Sequence, residues 1–150
     1  MTKKEKAIEL FEQGYNCAQA VAGAFSDEIG MDTVQIVKAV SGFGGGIGRL
    51  REVCGAVSGM VFVANMLYGY ESPTDADAKK AHYSDIQSLA KSFSDMNGSY
   101  ICRELLGLSI SGADSPVPEK RTTEYYQKRP CVELVGDAAE ILEKFIAEHK

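Results

Sequence analysis

Apolar residues recur at helical spacing along most of the chain, and glycines, prolines and capping residues divide them into segments. In residues 4–12, for example, Ala7 and Phe11 fall on one side of a helix, and Gly14 provides its end. No segment alternates polar and apolar residues between hairpin turns, as a half-buried strand would. The pattern therefore predicts an all-α fold.

The segments predict a compact bundle of about six helices around a buried central helix. The helical stretches are residues 4–12, 17–28, 33–40, 53–70, 75–97, 100–106 (a short one) and 131–147. Residues 107–129 are polar and contain two prolines, which predicts a long loop or lid with at most a short helix.

The predicted central helix follows a glycine-rich loop. Five glycines lie between positions 42 and 48, and residues 53–70 carry no charge. An uncharged run of this length could span a bilayer, but its glycine, serine and asparagine residues dilute the hydrophobicity, which favours a buried helix of a soluble bundle. Gly55 and Gly59 lie four positions apart and leave one face of this helix almost without side chains.

Length and charge restrict the possible classes of protein. A chain of 150 residues fits one domain, here predicted to cover residues 1–150. A net charge of -5 and a pI near 5.1 argue against a nucleic-acid partner. The first residues alternate charged and apolar positions, unlike a signal peptide, so we expect a cytoplasmic protein without membrane insertion.

The four cysteines carry the main chemical signal. No two form a Cys-x-x-Cys pair, but each is placed at or near the start of a predicted helix, where unpaired N–H groups and the helix dipole favour thiolate. Asn16 and Gln19, for instance, form a capping box around the first cysteine. In a chain without an export signal such residues are expected to be redox thiols or metal ligands. They are Cys17, Cys54, Cys102 and Cys131.

Nearby arginines strengthen the thiolate prediction for three of the four cysteines. Arg51 lies three positions before Cys54, Arg103 follows Cys102, and Arg129 lies two positions before Cys131, whereas Cys17 has no such neighbour. The alternative is that the cysteines are only small buried residues of the core.

The glycine-rich loop and the arginines after it define a second set of candidate residues. Their backbone N–H groups could bind an anion beside an arginine, or the glycines could bring the loop close to the cysteines. His82 and His149 are predicted to be solvated. Tyr125 and Tyr126 are predicted to pack within the loop 107–129, with closure over a pocket as the alternative. The candidate anion-binding or site-lining residues are Gly44, Gly45, Gly46, Arg49, Arg51, Gly55 and Gly59.

The run CGAVSG at residues 54–59, with glycines at 44–46, Arg49, one cysteine upstream and two downstream, resembles a family of four-cysteine, putative redox-active proteins labelled C_GCAxxG_C_C. The resemblance covers nearly the whole chain. It implies a small, mostly helical bacterial or archaeal protein, often encoded near transporters, in which the redox role is itself inferred from the cysteines.

Three functions remain open at this point. The first is thiol/disulfide or electron-transfer chemistry by the four cysteines, as in a thiol/disulfide oxidoreductase, with a redox protein or a small molecule as the unknown partner. Four cysteines allow three pairings, which the sequence leaves open; the preferred one joins Cys17 to Cys54 and Cys102 to Cys131. The second is a zinc ion or iron–sulfur cluster held by the same four thiolates. The third is a non-catalytic helical interaction module, which could form a homodimer through the bare face of the central helix.

Overall fold

Helices form nearly all of the regular structure in residues 1–149, the part of the chain that the computed structural model describes, with the Lys128 side chain excepted. This part of the chain has no strand, only an isolated antiparallel bridge between Val53 and Ile101. The all-α prediction is confirmed. The helical segments are α1 (Lys3–Glu12), α2 (Cys17–Gly23), α3 (Ser26–Ile29), α4 (Thr33–Ala39), α5 (Gly44–Ile47), α6 (Gly55–Tyr68), α7 (Ala76–Asn97), α8 (Cys102–Leu105), α9 (Thr123–Lys128) and α10 (Cys131–Glu148).

The number of segments within residues 1–149 exceeds the six that were predicted, because one predicted helix is divided and short turns are added. The helix predicted over residues 17–28 breaks after α2, where Phe25 leaves helical geometry with φ −108° and ψ 20°. The Phe25 side chain is 1% exposed, so the break places it in the core. The short segments α5 and α9 lie in stretches that were predicted to be loops.

The alanine-rich helix α2 packs tightly against α6. A Cβ atom added to Gly59 would lie 2.9 Å from the carbonyl oxygen of Ala18, and one added to Gly55 would lie 3.2 Å from the Ala18 nitrogen. Glycine at these positions therefore lets the two backbones approach closely. Helix α6 also contacts α7 and α10, and α10 packs along α1.

The glycine-rich segment forms a left-handed turn rather than an extended loop. Residues 45–49 all have positive φ, from 54° at Gly48 to 70° at Gly46. The turn closes through a hydrogen bond of 3.0 Å from the Glu52 N–H to the Gly46 carbonyl. Left-handed geometry costs a non-glycine residue roughly 1–2 kcal/mol. Arg49 and Arg51 adopt it nonetheless, with φ of 66° and 61°. The turn directs the Arg51 side chain into the interior, where that residue is 4% exposed.

Residues 107–122 are irregular and α9 follows them, which confirms the predicted loop with at most a short helix. This segment, which we call the lid loop, is hydrogen-bonded to the rest of the chain at its middle and near its end. At its middle, the Asp114 N–H donates to the Arg49 carbonyl at 2.9 Å. Near its end, Arg121 donates to the carbonyl oxygens of Phe11, in the last turn of α1, and of Tyr15, just after α1, at 2.9 and 3.0 Å.

Two further predictions concern membrane insertion and the solvent exposure of His82. No helix in residues 1–149 is long and apolar enough to cross a bilayer. The prediction that His82 is solvated is wrong: this residue is 6% exposed, and its Nε2–H donates to Asn65 Oδ1 at 2.6 Å. His82 is buried because α7 packs against α6, which carries Asn65.

Candidate functional site

Each cysteine lies at the start of a helix, as the sequence predicted. Cys17, Cys102 and Cys131 are the first residues of α2, α8 and α10, and Cys54 immediately precedes α6. Local signals explain this placement. At α2, for example, the Gln19 N–H donates to Asn16 Oδ1 at 2.9 Å and the Asn16 N–H donates to Gln19 Oε1 at 3.1 Å, which is the predicted capping box.

The four helix starts meet at one cavity of about 430 Å³, and all four cysteines line it. Cys54, Cys102 and Cys131 are 4%, 8% and 9% exposed, while Cys17 is half-buried. Backbone hydrogen bonds connect two of the helix starts directly, since the Cys54 N–H donates to the Tyr100 carbonyl at 2.9 Å and the Cys102 N–H donates to the Glu52 carbonyl at 2.6 Å. Residues distant in sequence thus form one site.

Glycines make this convergence sterically possible. A Cβ atom on Gly46 would lie 2.7 Å from the Cβ of Cys102, and one on Gly55 would lie 3.2 Å from the Cβ of Cys17. Gly59, in contrast, packs on Val21 and Ala18 of α2 and is not among the cavity-lining residues. Of the residues predicted to line a site, those that line the cavity are Gly44, Gly45, Gly46, Arg49, Arg51 and Gly55.

Cys131 and Cys17 both line the cavity, and their interaction separates their acidities. The pKa of Cys131 is lowered to about 7, first by the hydrogen bond from the Cys17 thiol, then by one from the Tyr125 hydroxyl and by the charges of Arg129 and Arg121, while burial opposes the change. The same hydrogen bond raises the pKa of Cys17. Cys131 is therefore the thiolate of the pair and Cys17 the thiol that stabilises it.

The other two cysteines are poor acids. Burial raises the pKa of Cys54 to about 12. Burial also raises the pKa of Cys102, although the guanidinium of Arg51, whose Nη1 lies 3.6 Å from Cys102 Sγ, acts in the opposite direction. The expectation that a helix start lowers the pKa of every cysteine is thus wrong for three of the four, because desolvation or a hydrogen bond to a neighbouring thiolate outweighs the helix dipole.

The arginines contact different groups from those that their sequence positions indicated. Arg51 contacts Cys102 instead of Cys54, and Arg103 donates to Glu52 Oε1 at 2.8 Å instead of to Cys102. Only Arg129 acts on the predicted cysteine, Cys131. The turn geometry explains the first difference, since the positive φ at Arg51 turns its side chain towards α8.

The anion beside Arg49 and Arg51 is a carboxylate of the chain itself. Asp114 Oδ2 accepts from Arg49 Nη2 at 3.2 Å and from Arg51 Nη2 at 3.0 Å. A hydrogen bond from the Ser115 N–H and the two guanidinium groups lower the pKa of Asp114. Sequence analysis missed Asp114, because nothing near position 114 indicates a partner more than sixty residues away.

A second missed group is Arg121, which lines the cavity. The guanidinium of Arg121 lies 4.1 Å from the ring centre of Phe11 and 5.2 Å from that of Tyr125. Of the two roles considered for Tyr125, packing within its loop and closing over a pocket, the structure fits the second better, because Tyr125 lines the cavity together with Phe11 and Arg121. Packing between α1 and α9 creates this cluster, and no local sequence pattern encodes it.

The thiols are not arranged as a metal site. Among residues 1–149, no group of three or more histidine, cysteine, aspartate or glutamate side chains is placed to hold a metal ion. All four cysteines are free thiols in this structure. The geometry therefore fits separate thiol contacts, such as that between Cys17 and Cys131, better than an all-thiolate centre.

Comparison with known proteins adds a family and one distant relative. The sequence model of a family described as "Putative redox-active protein (C_GCAxxG_C_C)" matches residues 15–145. An uncharacterized protein of Archaeoglobus fulgidus is 25% identical over 157 aligned positions, which cover 98% of this chain and 95% of the relative. No solved structure matches the chain.

Proposed function

Because the chain belongs to the C_GCAxxG_C_C family, described as putative redox-active proteins, we propose that it carries out thiol/disulfide exchange in which Cys131 is the attacking thiolate and Cys17 the resolving thiol. The observation that carries this proposal is that Cys17 and Cys131, the first residues of α2 and α10, line one cavity where these two helices pack together. The lowered pKa of Cys131 supports it. An attacking thiol with a pKa near the ambient pH combines a large thiolate fraction with good nucleophilicity.

The exchange proceeds in two balanced steps. The Cys131 thiolate attacks one sulfur of a disulfide, forms a mixed disulfide and releases the other half as a thiolate. That thiolate takes up the proton of Cys17, whose sulfur then attacks Cys131 and displaces the second half as a thiolate. This second thiolate takes its proton from water. The net result is one substrate disulfide reduced to two thiols and one Cys17–Cys131 disulfide formed.

Cys54 and Cys102 supply a second pair of reducing equivalents at the same cavity. Both remain protonated near neutral pH, because burial raises their pKa values. Exchange between this pair and the Cys17–Cys131 disulfide would transfer two electrons from Cys54 and Cys102 to that disulfide, leaving a Cys54–Cys102 disulfide and restoring Cys131 and Cys17. The contact between Cys17 and Cys131 favours this pairing over the pairing of Cys17 with Cys54 that was first considered.

The test traps the first step. The Cys17→Ser variant, fully reduced and treated with the uncharged bis(2-hydroxyethyl) disulfide, should accumulate a mixed disulfide on Cys131, identified by peptide mass spectrometry. The wild type should instead form a Cys17–Cys131 disulfide without a lasting adduct. The matched variant Cys54→Ser leaves the reacting pair intact and should behave as the wild type does in this first turnover.

Two results would overturn the proposal. One is an adduct that forms first on a cysteine other than Cys131 in the Cys17→Ser variant. The other is anaerobically prepared protein in which a bound metal masks all four thiols, measured by metal content and thiol titration of the same sample. That second result would establish the alternative of an all-thiolate metal centre.

A further inference from the structure

The cavity is rich in positive charge, and the lid loop neutralises only part of it. Four arginines line the cavity, namely Arg49, Arg51, Arg121 and Arg129. Asp114 pairs with the first two, and Glu119 pairs with the last. Within residues 1–149 the partners of Arg121 are carbonyl oxygens and aromatic rings, and none is a carboxylate.

Arg121 is held as a ligand-binding guanidinium would be. The rings of Phe11 and Tyr125 contact it, and two of its N–H groups donate to main-chain oxygens, which fixes its position. A guanidinium has five N–H donors, so two such bonds leave donors for a carboxylate. The site combines rigid support with an incomplete hydrogen-bond set.

Tyr125 connects this guanidinium to the reactive sulfur. Its ring contacts Arg121, and its hydroxyl helps to lower the pKa of Cys131, which lines the same cavity. The cation and the nucleophile are consequently separated by about one tyrosine side chain. A ligand whose carboxylate is only a few bonds from its sulfur could reach both groups at once.

Burial restricts the size of the substrate. Cys131 is 9% exposed and lies at a cavity of about 430 Å³ that is also lined by Pro116 and Pro118 of the lid loop. Pockets of this size take small molecules. The disulfide of a folded partner protein would have to pass the lid loop to reach Cys131.

On these grounds, and resting on the proposed thiol exchange, we propose that the substrate is a small disulfide with a carboxylate a few bonds from sulfur, which Arg121 binds while Cys131 attacks the adjacent sulfur. The substrate disulfide is the oxidant. It is reduced to two small thiols as Cys17 and Cys131 become a disulfide, so atoms and electrons balance as in the two-step exchange described above.

The experiment compares three disulfides that differ only in the charged end: 3,3′-dithiodipropionate (anionic), bis(2-hydroxyethyl) disulfide (uncharged) and cystamine (cationic). The rate of adduct formation on Cys131 is measured with each disulfide in the Cys17→Ser variant. The same disulfides are also reacted with 2-mercaptoethanol, which serves as the reference thiol. We expect the ratio of anionic to uncharged rates to exceed the reference ratio about tenfold, the effect of one charge-assisted hydrogen bond. Each ratio is taken on one protein, so the thiolate fraction cancels.

Variants of Arg121 locate the effect. In the Cys17→Ser background, Arg121→Gln should lower the ratio to that of the reference thiol, and Arg121→Lys should restore part of it because the charge is kept. Lys91→Gln removes the same charge from the exposed face of α7 and should leave the ratio unchanged. A ratio that survives Arg121→Gln would overturn the inference.

A variant-free measurement covers the case in which Arg121→Gln does not fold. The thioether 3,3′-thiodipropionate cannot react, and in protein with native Arg121 it should compete with the uncharged disulfide and slow its reaction at Cys131. Absence of competition, or equal rates with all three disulfides, would overturn the substrate class and leave the thiol exchange intact. Failure of Cys131 to react with any disulfide would overturn the exchange itself.

Discussion

Arg51 Nη1 lies 3.6 Å from the sulfur of Cys102, while Nε and Nη2 of the same guanidinium hold the Asp114 carboxylate at 3.1 and 3.0 Å. One buried cation therefore links a thiol of the cavity to the lid loop. Burial raises the pKa of Cys102, and the contact with Arg51 is the strongest of the interactions that act against that rise.

Replacing Arg51 should therefore change the chemistry of Cys102. In the Arg51→Gln variant we expect the pKa of Cys102 to rise and its alkylation by iodoacetamide at pH 8 to slow severalfold, followed by mass spectrometry of the Cys102 peptide. Arg49→Gln is the matched control, since Arg49 also pairs with Asp114 but its hydrogen bonds do not include Cys102. Equal slowing in both variants would show that the loss of the Asp114 pairing, and not the contact with sulfur, is responsible.

Cys131 should be the cysteine that reacts first near neutral pH. Its alkylation rate should follow a titration with a midpoint about two pH units below the ordinary thiol value of 9.0, since its pKa is lowered to about 7. Cys54, whose pKa is raised to about 12, should remain unmodified over the same range. The measurement is the pH profile of alkylation for each cysteine peptide.

Two variants test why Cys131 is acidic. Cys17→Ala removes the hydrogen-bond donor with the largest effect and should move the midpoint of Cys131 upward, and Tyr125→Phe should move it upward by less. Cys54→Ser, which removes no hydrogen bond to Cys131, serves as the control. A midpoint that stays near 7 in the Cys17→Ala variant would contradict the assigned cause.

The positions of the cysteines were predictable because helix starts are encoded locally. The capping box of Asn16 and Gln19 identifies the start of α2 from four consecutive residues, and Pro130 identifies the start of α10 in the same way. The glycine run likewise indicated close approach, which the structure shows between Gly46 and Cys102. These features depend on neighbours along the chain, so a sequence contains them directly.

The contacts between the cysteines were not predictable, because they depend on how distant helices pack. Cys17 meets Cys131 because α2 and α10 pack together, and Arg121 meets Phe11 because the end of the lid loop returns to α1. The predicted lowering of the cysteine pKa values was wrong for the same reason. A helix start can be read from sequence, whereas the burial of Cys54 or Cys102 is a property of the assembled core.

The left-handed turn offers a direct test of the close approach between loop and cysteine. Gly46 and Gly48 both have positive φ, 70° and 54°, so alanine at either position carries a left-handed penalty of roughly 1–2 kcal/mol. Only at Gly46 would the new Cβ also overlap other atoms, 2.7 Å from both the Cys102 Cβ and the Glu52 nitrogen. A Cβ atom added to Gly48 would have no atom within 4 Å apart from its neighbours along the chain.

We therefore expect Gly46→Ala to lower the free energy of unfolding by about 1–3 kcal/mol more than Gly48→Ala does, measured by urea denaturation. The displacement should also expose Cys102 and speed its alkylation in the Gly46→Ala variant alone. Equal destabilisation by the two variants would mean that backbone conformation, and not the contact with Cys102, accounts for the glycine at position 46.

The opposed acidities of the thiols predict a maximum of stability near pH 9. Cys131 titrates at about 7 in the folded state and near 9.0 when unfolded, so its contribution is complete above pH 9 and is lost as the pH falls towards 7, a change of about 2–3 kcal/mol. Cys54 affects the pH dependence of stability in the opposite direction. Because its pKa is raised to about 12 in the folded state, its contribution to stability is lost as the pH rises above 9. Urea unfolding at pH 6 to 10.5 should show the maximum. In the Cys131→Ser variant the rise between pH 7 and 9 should vanish while the decline above pH 9 remains, and a rise that persists without Cys131 would exclude this thiolate as its source.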